Sequence, residues 1–430
     1  MRQRFYLIPR LRVTLKRTYE ELSTAEKRPP KFHLPAFAII ISTFIWFSLL
    51  GVVFTDTINR LTLPAFDTFA ILSLYYVGAI ASAFLGATVR IPRSTLLKFW
   101  MVLGTVSSVL LLFVDTAMPS SAFVVATLLG FSIGFGLPSS MAYFTDSVRV
   151  ENRGLMGGIV WGLVTAVVVP LAVVIGMLNY VTVMVDFAEV VTVLALVRGI
   201  GLMLFLMFEE KDGKVPEERK TPSYTAILGG RTLALYFVPW LMFCLINWME
   251  MPVIEGQFPY ELLALSGAVE VAIAGVSAPI SGYFSDKIGR KRVIVTGFVI
   301  LGVGYAALGL FPQGIIAQYS FIVLDGVAWG IFASVFFMIL WGDIAEEARK
   351  ERFYFVGGFP YLLAQFLAML SGPYFVFIQP NAAFSLASFF LFFAVLPLLY
   401  APEPLPERRL KEREMKEYIE RAKKAKEKYT

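Results

Sequence analysis

The sequence has almost none of the side chains that build metal centres and disulfides. Its 430 residues include one cysteine, Cys244, and one histidine, His33. A lone cysteine cannot form an intrachain disulfide, and His33 has no second histidine or cysteine with which to share a metal ion. The G-x-x-x-x-G-K-[ST] motif that binds ATP phosphates is also missing, which argues against a pump with its own motor. We therefore expect no metal site, no cofactor, no catalytic residue and no enzyme.

Charged residues are scarce as well, at 16% of the chain, whereas 57% of the residues are hydrophobic. A mean hydropathy of +0.70 lies far outside what a water-soluble domain can cover with polar surface. Apolar runs of about 18 to 25 residues, long enough to cross a bilayer as helices, occur twelve times. Helices satisfy their own backbone hydrogen bonds in lipid, so the prediction is an all-α polytopic membrane protein. The predicted spans are 35–55, 68–89, 97–115, 121–143, 155–178, 187–208, 233–253, 262–284, 293–311, 316–341, 354–377 and 382–401.

The cations lie almost entirely on one side of these predicted spans. Of the 38 Lys and Arg residues, only Arg60 and Arg198 fall outside the two termini, the even-numbered connections and the first residues of the span after each such connection. Loops rich in Lys and Arg stay in the cytoplasm, so both termini are predicted to be cytoplasmic and the protein to lie in the cell membrane. The net charge of +6 then indicates contact with a lipid surface, and we expect no nucleic-acid partner.

Glycine patterns recur between the two halves of the chain. GFSIGFG from Gly130 resembles GVAWGIF from Gly326, and an acidic residue followed by a glycine pair recurs at 151–158 and 351–358. Small residues permit close helix packing, but a shared period of roughly 200 residues indicates two repeated six-helix halves. The predicted units are a basic N-terminal segment 1–34, a first bundle 35–208, a linker 209–232, a second bundle 233–401 and a charged C-terminal helix 402–430.

The connection after the eighth predicted span contains GYFSDKIGRKR, residues 282–292. Gly282 lets a helix end approach its neighbour closely, and Gly289 permits a tight turn with positive φ. Asp286 can sit at the positive N-terminal end of a helix, while the cations can meet carboxylates that end other helices. This composition predicts a charged clasp between helices; the alternative is a basic turn that only fixes topology.

This stretch matches in full the signature of the major facilitator superfamily, G-x-x-x-D-[RK]-x-G-R-[RK]-[RK]. ENRGLMGG at 151–158 is similar to the family's R-G-x-x-x-G pattern before the fifth span. From residue 35 to residue 401 the chain resembles a transporter of this family, of unknown subfamily. The resemblance implies twelve transmembrane helices in two pseudo-symmetric six-helix bundles, a monomer, and a motif that locks the cytoplasmic side. The implied gating residues are Gly282, Asp286, Lys287, Gly289, Arg290, Lys291 and Arg292, with Asp343, Glu346, Arg352, Glu151 and Arg153 as partners.

Carried over residue by residue, the resemblance places Asp286 at the start of the eleventh span near Arg352. It also pairs Arg290 with Asp343 or Glu346 at the end of the tenth span. The first half departs from the pattern, because GATVRIPRS has Arg90 where the motif has Asp. Arginine is unfavourable at a helix N-terminus, so the first-half clasp is expected to be weak or differently built.

Three ionisable residues well inside predicted spans are singled out, because burial there is costly enough to suggest function. Glu270, near the membrane midplane, has two interpretations: a group that couples protons or substrate, or a structural hydrogen-bonding group. The same two interpretations apply to Asp325. Arg198 could bind an anion, pair with Glu270, or be structural. The remaining candidates for a central cavity, or for simple packing, are Asn247, Trp248, Trp329 and Gln365.

Together these observations predict a secondary active transporter that moves a small organic solute by rocker-switch alternating access. Protons are the expected coupling ion. Two alternatives remain at this stage: an uncoupled uniporter with the same fold, and a membrane sensor or scaffold that binds a ligand without transporting it.

Overall fold

The described part of the protein is a bundle of long helices. The computed structural model describes residues 33–114, 120–180, 187–209, 221–346, 348–375 and 377–404, with Met415 and Tyr418. In this part of the chain there are no strands, and twelve helices are long and apolar enough to cross a membrane. Numbered in chain order, spans 1 to 12 are Leu34–Thr55, Ala65–Thr88, Arg93–Phe113, Ser120–Ser147, Val150–Val174, Phe187–Phe208, Arg231–Gln257, Tyr260–Ile288, Arg290–Leu310, Ile315–Ile344, Glu351–Gly372 and Pro380–Tyr400. The prediction of an all-α polytopic membrane protein with twelve spans is confirmed.

Three spans are interrupted. Span 4 is divided into helices Ser120–Gly134 and Leu137–Ser147, where two glycines and a proline follow one another closely. Span 7 is divided at Glu250, just before a proline. Span 10 changes from an α-helix to a π-helical stretch at Ala333–Leu340. Interruptions of this kind are frequent at functional sites in membrane helices.

The predicted terminal segments lie largely outside the described residues. Residues 1–32, most of the linker between 209 and 221, and nearly all of the C-terminal helix predicted at 402–430 belong to this group. Within the linker, the described residues include a short helix, Tyr224–Leu228. It begins at Ser223, whose hydroxyl accepts a hydrogen bond from the backbone N–H of Ala226 at 3.2 Å.

The two halves meet mainly where span 5 packs on span 8 and span 2 packs on span 11. Glycines bring spans 5 and 8 into backbone contact. A Cβ atom at Gly282 would lie 2.6 Å from the carbonyl carbon of Gly154, and one at Gly158 would lie 2.6 Å from that of Ala278. No side chain fits at these distances, so the close approach of the two spans depends on glycine.

Candidate functional site

We call the end of the bundle where spans 2, 4, 8 and 10 end and spans 3, 5, 9 and 11 begin the inner side. Here Asp286, at the end of span 8, accepts hydrogen bonds from the backbone N–H groups of Gly154 at 2.9 Å and Leu155 at 2.8 Å. Its carboxylate therefore lies at the positive N-terminal end of span 5 in the opposite half. It also pairs with Arg290 one turn further along the chain.

The expected position of Asp286 near Arg352 is therefore wrong. Span 8 packs along span 5, so the helix N-terminus within reach of Asp286 is that of span 5, not span 11. Arg352 instead donates to the carbonyl oxygen of Pro222 at 2.7 Å and lies over the ring of Tyr224 at 5.0 Å. It anchors the segment before span 7 rather than the motif.

Arg290 is fully buried and reaches both halves. Its Nε donates to the Asp343 carboxylate at 3.1 Å, and its guanidinium donates to the Val150 carbonyl across the interface at 3.2 Å. Asp343 also pairs with Arg153 of the first half, at 2.6 Å. Of the two acidic partners expected for Arg290, the structure uses Asp343, because Glu346 lies one turn later and is exposed.

The first half contributes a second group of ion pairs that the sequence reading did not identify. Arg93, at the start of span 3, pairs with Asp146 at 3.0 Å, and Lys350 of the second half pairs with Asp146 at 2.6 Å. Arg93 and Asp146 are 53 residues apart, as are Arg290 and Asp343, and in both pairs the arginine comes first. This constant separation was a signal in the sequence that could have identified them.

The carboxylate missing from the first half is supplied from the other half. Arg90 is exposed and takes no part in the described ion pairs. Glu351, at the start of span 11, instead accepts from Arg93 Nε at 3.1 Å and from Nη2 at 2.6 Å. The first-half clasp is thus differently built, with its acid on the opposite half. We refer to Arg93, Asp146, Lys350 and Glu351 together with Arg153, Asp286, Arg290 and Asp343 as the inner latch.

The other motif residues shape the turn and its surroundings. Gly289 has a φ of +107°, the positive value that its place in the motif predicts. The carboxylate of Glu403, after span 12, accepts from the backbone N–H of Arg290 at 2.6 Å. Lys291 donates to the carbonyl oxygens of Leu399 and Ala401, both at 2.8 Å. The remaining gating candidates lie as follows: Gly282 against span 5, Lys287 and Arg292 exposed, and Glu151 half-buried in the turn before span 5.

Lys350 carries an electrostatic cost in the latch. Only 3% of its surface is exposed. Burial, with a further contribution from the neighbouring Arg153, lowers the pKa of Lys350 from 10.5 to about 8, although Asp146 acts in the opposite direction. The pKa of the buried Lys350 ammonium group, which interacts with both Arg153 and Asp146, is therefore much closer to neutral pH than that of a lysine in water.

Glu270 and Asp325 lie together inside the second half. Their carboxyls interact through a hydrogen bond, and both act electrostatically on the buried Tyr305 of span 9, as does Glu250. Two carboxyls can share a hydrogen bond only if one of them carries a proton. Glu250, 7% exposed at the break in span 7, was not identified from the sequence.

Arg198 lies elsewhere, in the interior of the first half. Its guanidinium donates to the Thr43 hydroxyl at 2.6 Å and stacks over Trp100 at 4.1 Å and Trp46 at 4.9 Å. Its contacts are thus with spans 1 and 3, so pairing with Glu270 is contradicted. Aromatic faces take the place of a counter-ion here, which favours the structural interpretation.

A cluster of aromatic side chains fills the space between the halves at mid-depth. Asn247 accepts from the indole N–H of Trp329 at 3.1 Å. The ring of Tyr361 lies 5.8 Å from that of Trp248 and 6.4 Å from that of Trp329, and its hydroxyl hydrogen-bonds with Gln365. The four candidates named for a central cavity are therefore brought together around Tyr361, which the sequence did not single out.

The first half completes this central cluster. Phe47 approaches Tyr361 with 6.5 Å between ring centroids, and Phe44 approaches Phe337 at 5.5 Å. Trp161 of span 5 stacks on Phe44 at 4.8 Å. Toward the inner side, a cavity of about 20 Å³ remains, lined by residues that include Ala83, Met141, Phe337 and Tyr354. This cavity holds about one water, so a solute can fit in it only if the halves or the rings move.

The described residues thus form two six-helix halves with a central cluster between them and a charged latch at one side. A family model described as Major Facilitator Superfamily matches residues 251–427. A search of curated proteins gave no match. The resemblance carried by the motif is confirmed, and the family match and the fold support a secondary transporter.

A solved structure shows the same fold over most of the chain. It is described as the proton:xylose symporter XylE of the major facilitator superfamily, bound to 6-bromo-6-deoxy-D-glucose. The TM-score is 0.65, with 86% of this chain and 95% of that chain covered and 13% sequence identity. At this identity the likeness establishes the fold. The two pseudo-symmetric six-helix bundles predicted from the sequence are thereby confirmed.

Proposed function

We propose that the chain is a secondary active transporter that moves a small organic solute by rocker-switch alternating access, with protons as the coupling ion. It works in the cell membrane as a monomer, with both termini and the inner side facing the cytoplasm. The observation that carries this proposal is the inner latch. The halves are held together there by ion pairs and by a carboxylate on backbone N–H groups, contacts that water can replace when the halves separate.

The latch and the central cluster have complementary roles in this cycle. With the latch formed, the central cluster is closed toward the cytoplasm and a solute reaches it from the opposite side. Solute binding between the halves then favours their rotation, which separates Arg93 from Glu351 and Asp286 from the start of span 5. Water solvates the separated ions in the open state. The free-energy difference between the closed and open states therefore stays small enough for the protein to cycle between them.

Glu270 and Asp325 are the proposed coupling groups. They share one proton in a region where the described charged neighbours are acids, with Glu250 as the third carboxyl. A second ionised acid there is strongly disfavoured until a proton arrives or the site opens to water. The proton coupling named for the structural neighbour XylE is consistent with this assignment, although its low identity gives no residue correspondence.

Uptake by proteoliposomes tests the proposal. The assay measures accumulation of radiolabelled solutes with and without an inward pH gradient, beginning with D-xylose, the solute named for the neighbour. Gradient-dependent accumulation is expected, and Glu270→Gln should abolish accumulation while leaving exchange intact. The matched control is Glu261→Gln, an exposed acid on the same span. Equilibration without accumulation in the unaltered protein would instead indicate a uniporter.

A further inference from the structure

From the central cluster we infer that the transported solute is uncharged, that it carries hydrogen-bond acceptor atoms, and that it has a flat apolar face. This inference rests on the proposed function and names the solute class of the same site. It follows from three independent properties of the residues between the halves: their rings, their unpaired donors and the absence of charge around them in the described part of the chain.

The rings provide apolar faces from both halves. Phe44 and Trp161 stack in the first half at 4.8 Å, and Phe337 of the second half meets both, at 5.5 Å and 6.1 Å. Tyr361 continues this surface, with its ring 5.5 Å from that of Phe337. Offset and edge-to-face rings at these separations form a surface that a flat solute can enter by replacing one ring-to-ring contact with another.

Two indole donors in this surface lack acceptors. Trp161 Nε1 and Trp248 Nε1 are buried from solvent, and neither has a hydrogen-bond partner. In contrast, the indole of Trp329 donates to Asn247. A buried N–H without an acceptor costs about 1 to 3 kcal/mol, so a ligand that supplies an acceptor removes this cost when it binds. One of these donors lies in each half, as a solute bound across the interface requires.

Among the described residues, no Lys or Arg side chain lies over the rings of this surface, since the cations that stack on aromatic rings do so elsewhere in the protein. The electrostatic neighbours of Tyr361 are Cys244 and Tyr76, both uncharged groups at neutral pH. The carboxyls of Glu250, Glu270 and Asp325 act instead on Tyr305 of span 9, and the charges of the inner latch are at the inner ends of the spans. An ionic solute among rings would remain without a counter-charge, which is strongly unfavourable.

A thermal-shift assay with matched sets of compounds tests the solute class on the purified full chain. Each set presents one scaffold as an alcohol, a carboxylate and an amine: D-glucose, D-glucuronate and D-glucosamine, and tryptophol, indole-3-acetate and tryptamine. Binding to the folded protein raises the unfolding temperature by mass action. We expect the neutral member of a set to stabilise the protein and its ionic partners not to. A larger shift from an ionic member, or no shift from any compound, would overturn the inference.

Variants locate the binding in the central cluster. Trp161→Phe and Trp248→Phe keep an aromatic ring and remove the N–H, so each should weaken binding of the stabilising alcohol by about two- to twelvefold. Trp100→Phe is the matched control, since its indole donates to the Ser132 carbonyl within the first half. Unchanged affinity in both site variants would refute the assignment. Uptake of an ionic solute would reject only the solute class, whereas absence of any uptake would reject the proposed transport.

Discussion

Replacing Glu351 by glutamine should open the inner side of the protein. Arg93 donates two hydrogen bonds to one oxygen of Glu351, and the two side chains are only 12% and 4% exposed, so solvent screens their interaction little. The glutamine keeps the size and one acceptor but removes the charge. In the open state the two residues are apart, and Arg93 retains Asp146, which belongs to its own half. The substitution therefore acts on the closed state.

The magnitude follows from the geometry of this pair. Hydrogen bonds to charged groups contribute about 1.5 to 3 kcal/mol and those between neutral groups about 0.5 to 1.5 kcal/mol. Losing the charge while keeping an acceptor then costs the closed state about 1 to 2 kcal/mol. The ratio of open to closed molecules should rise about five- to thirtyfold.

Pulsed electron paramagnetic resonance between spin labels at positions 90 and 292 measures this ratio. Arg90 and Arg292 are exposed, lie in opposite halves and are not part of the inner latch, while Cys244 is buried and labels poorly. Glu351→Gln should shift the distance distribution to longer values. Glu346→Gln, an exposed acid at the same side, is the control. A distribution identical to that of the unaltered protein, or an equal shift in the control, would refute the role assigned to Glu351.

Three further predictions concern the inner latch and the span 5–span 8 contact. The pKa of Lys350 is lower in the closed latch than in water, so opening takes up a proton. Raising the pH from 7 to 9 should therefore lower the open-to-closed ratio about tenfold. Lys350→Arg should remove this dependence of the ratio on pH, measured with the same spin labels. Gly282→Ala places a methyl group against the Gly154 carbonyl and should destabilise the protein by about 1 to 3 kcal/mol in thermal unfolding, whereas Gly256→Ala, with open space around it, should not. Asp286→Asn weakens both hydrogen bonds that Asp286 accepts at the start of span 5. At about 1 to 2 kcal/mol for each bond, the equilibrium should shift toward the open state by about 2 to 4 kcal/mol; the weaker pairing with Arg290 affects both states alike, because Arg290 lies in the same half. A shift smaller than that of Glu351→Gln would contradict the contacts described for Asp286.

The intact motif shows what local sequence can specify. Gly289 requires positive φ and Gly282 a close helix neighbour, and both requirements depend on the absence of a Cβ atom, whichever helix lies opposite. The partner of Asp286 could not be read in the same way. Its carboxylate needs a helix N-terminus, and spans 5 and 11 both begin on the inner side; only the packing of span 8 on span 5 decides between them.

The buried acids and the central cluster show the same division. Glu270 and Asp325 were recognisable because a carboxyl inside an apolar run is costly wherever it lies. Their contact with each other, and with Glu250 through Tyr305, joins three spans and cannot be derived from depth along a helix. Similarly, Trp161 and Tyr361 were two aromatic residues among many until the spans placed them between the halves.

By itself the sequence determined three features, each from a local property. Hydropathy gave the number of spans, the need to satisfy backbone hydrogen bonds in lipid gave the all-helical class, and the glycine and charge pattern of one short motif gave the charged clasp. The tertiary structure decided which helix each charge meets. In particular, the acid missing from the first-half clasp is supplied by Glu351 of the second half. Ion pairs and ring contacts between residues far apart in the chain depend on the relative position of helices, and that position is set by packing over the whole bundle.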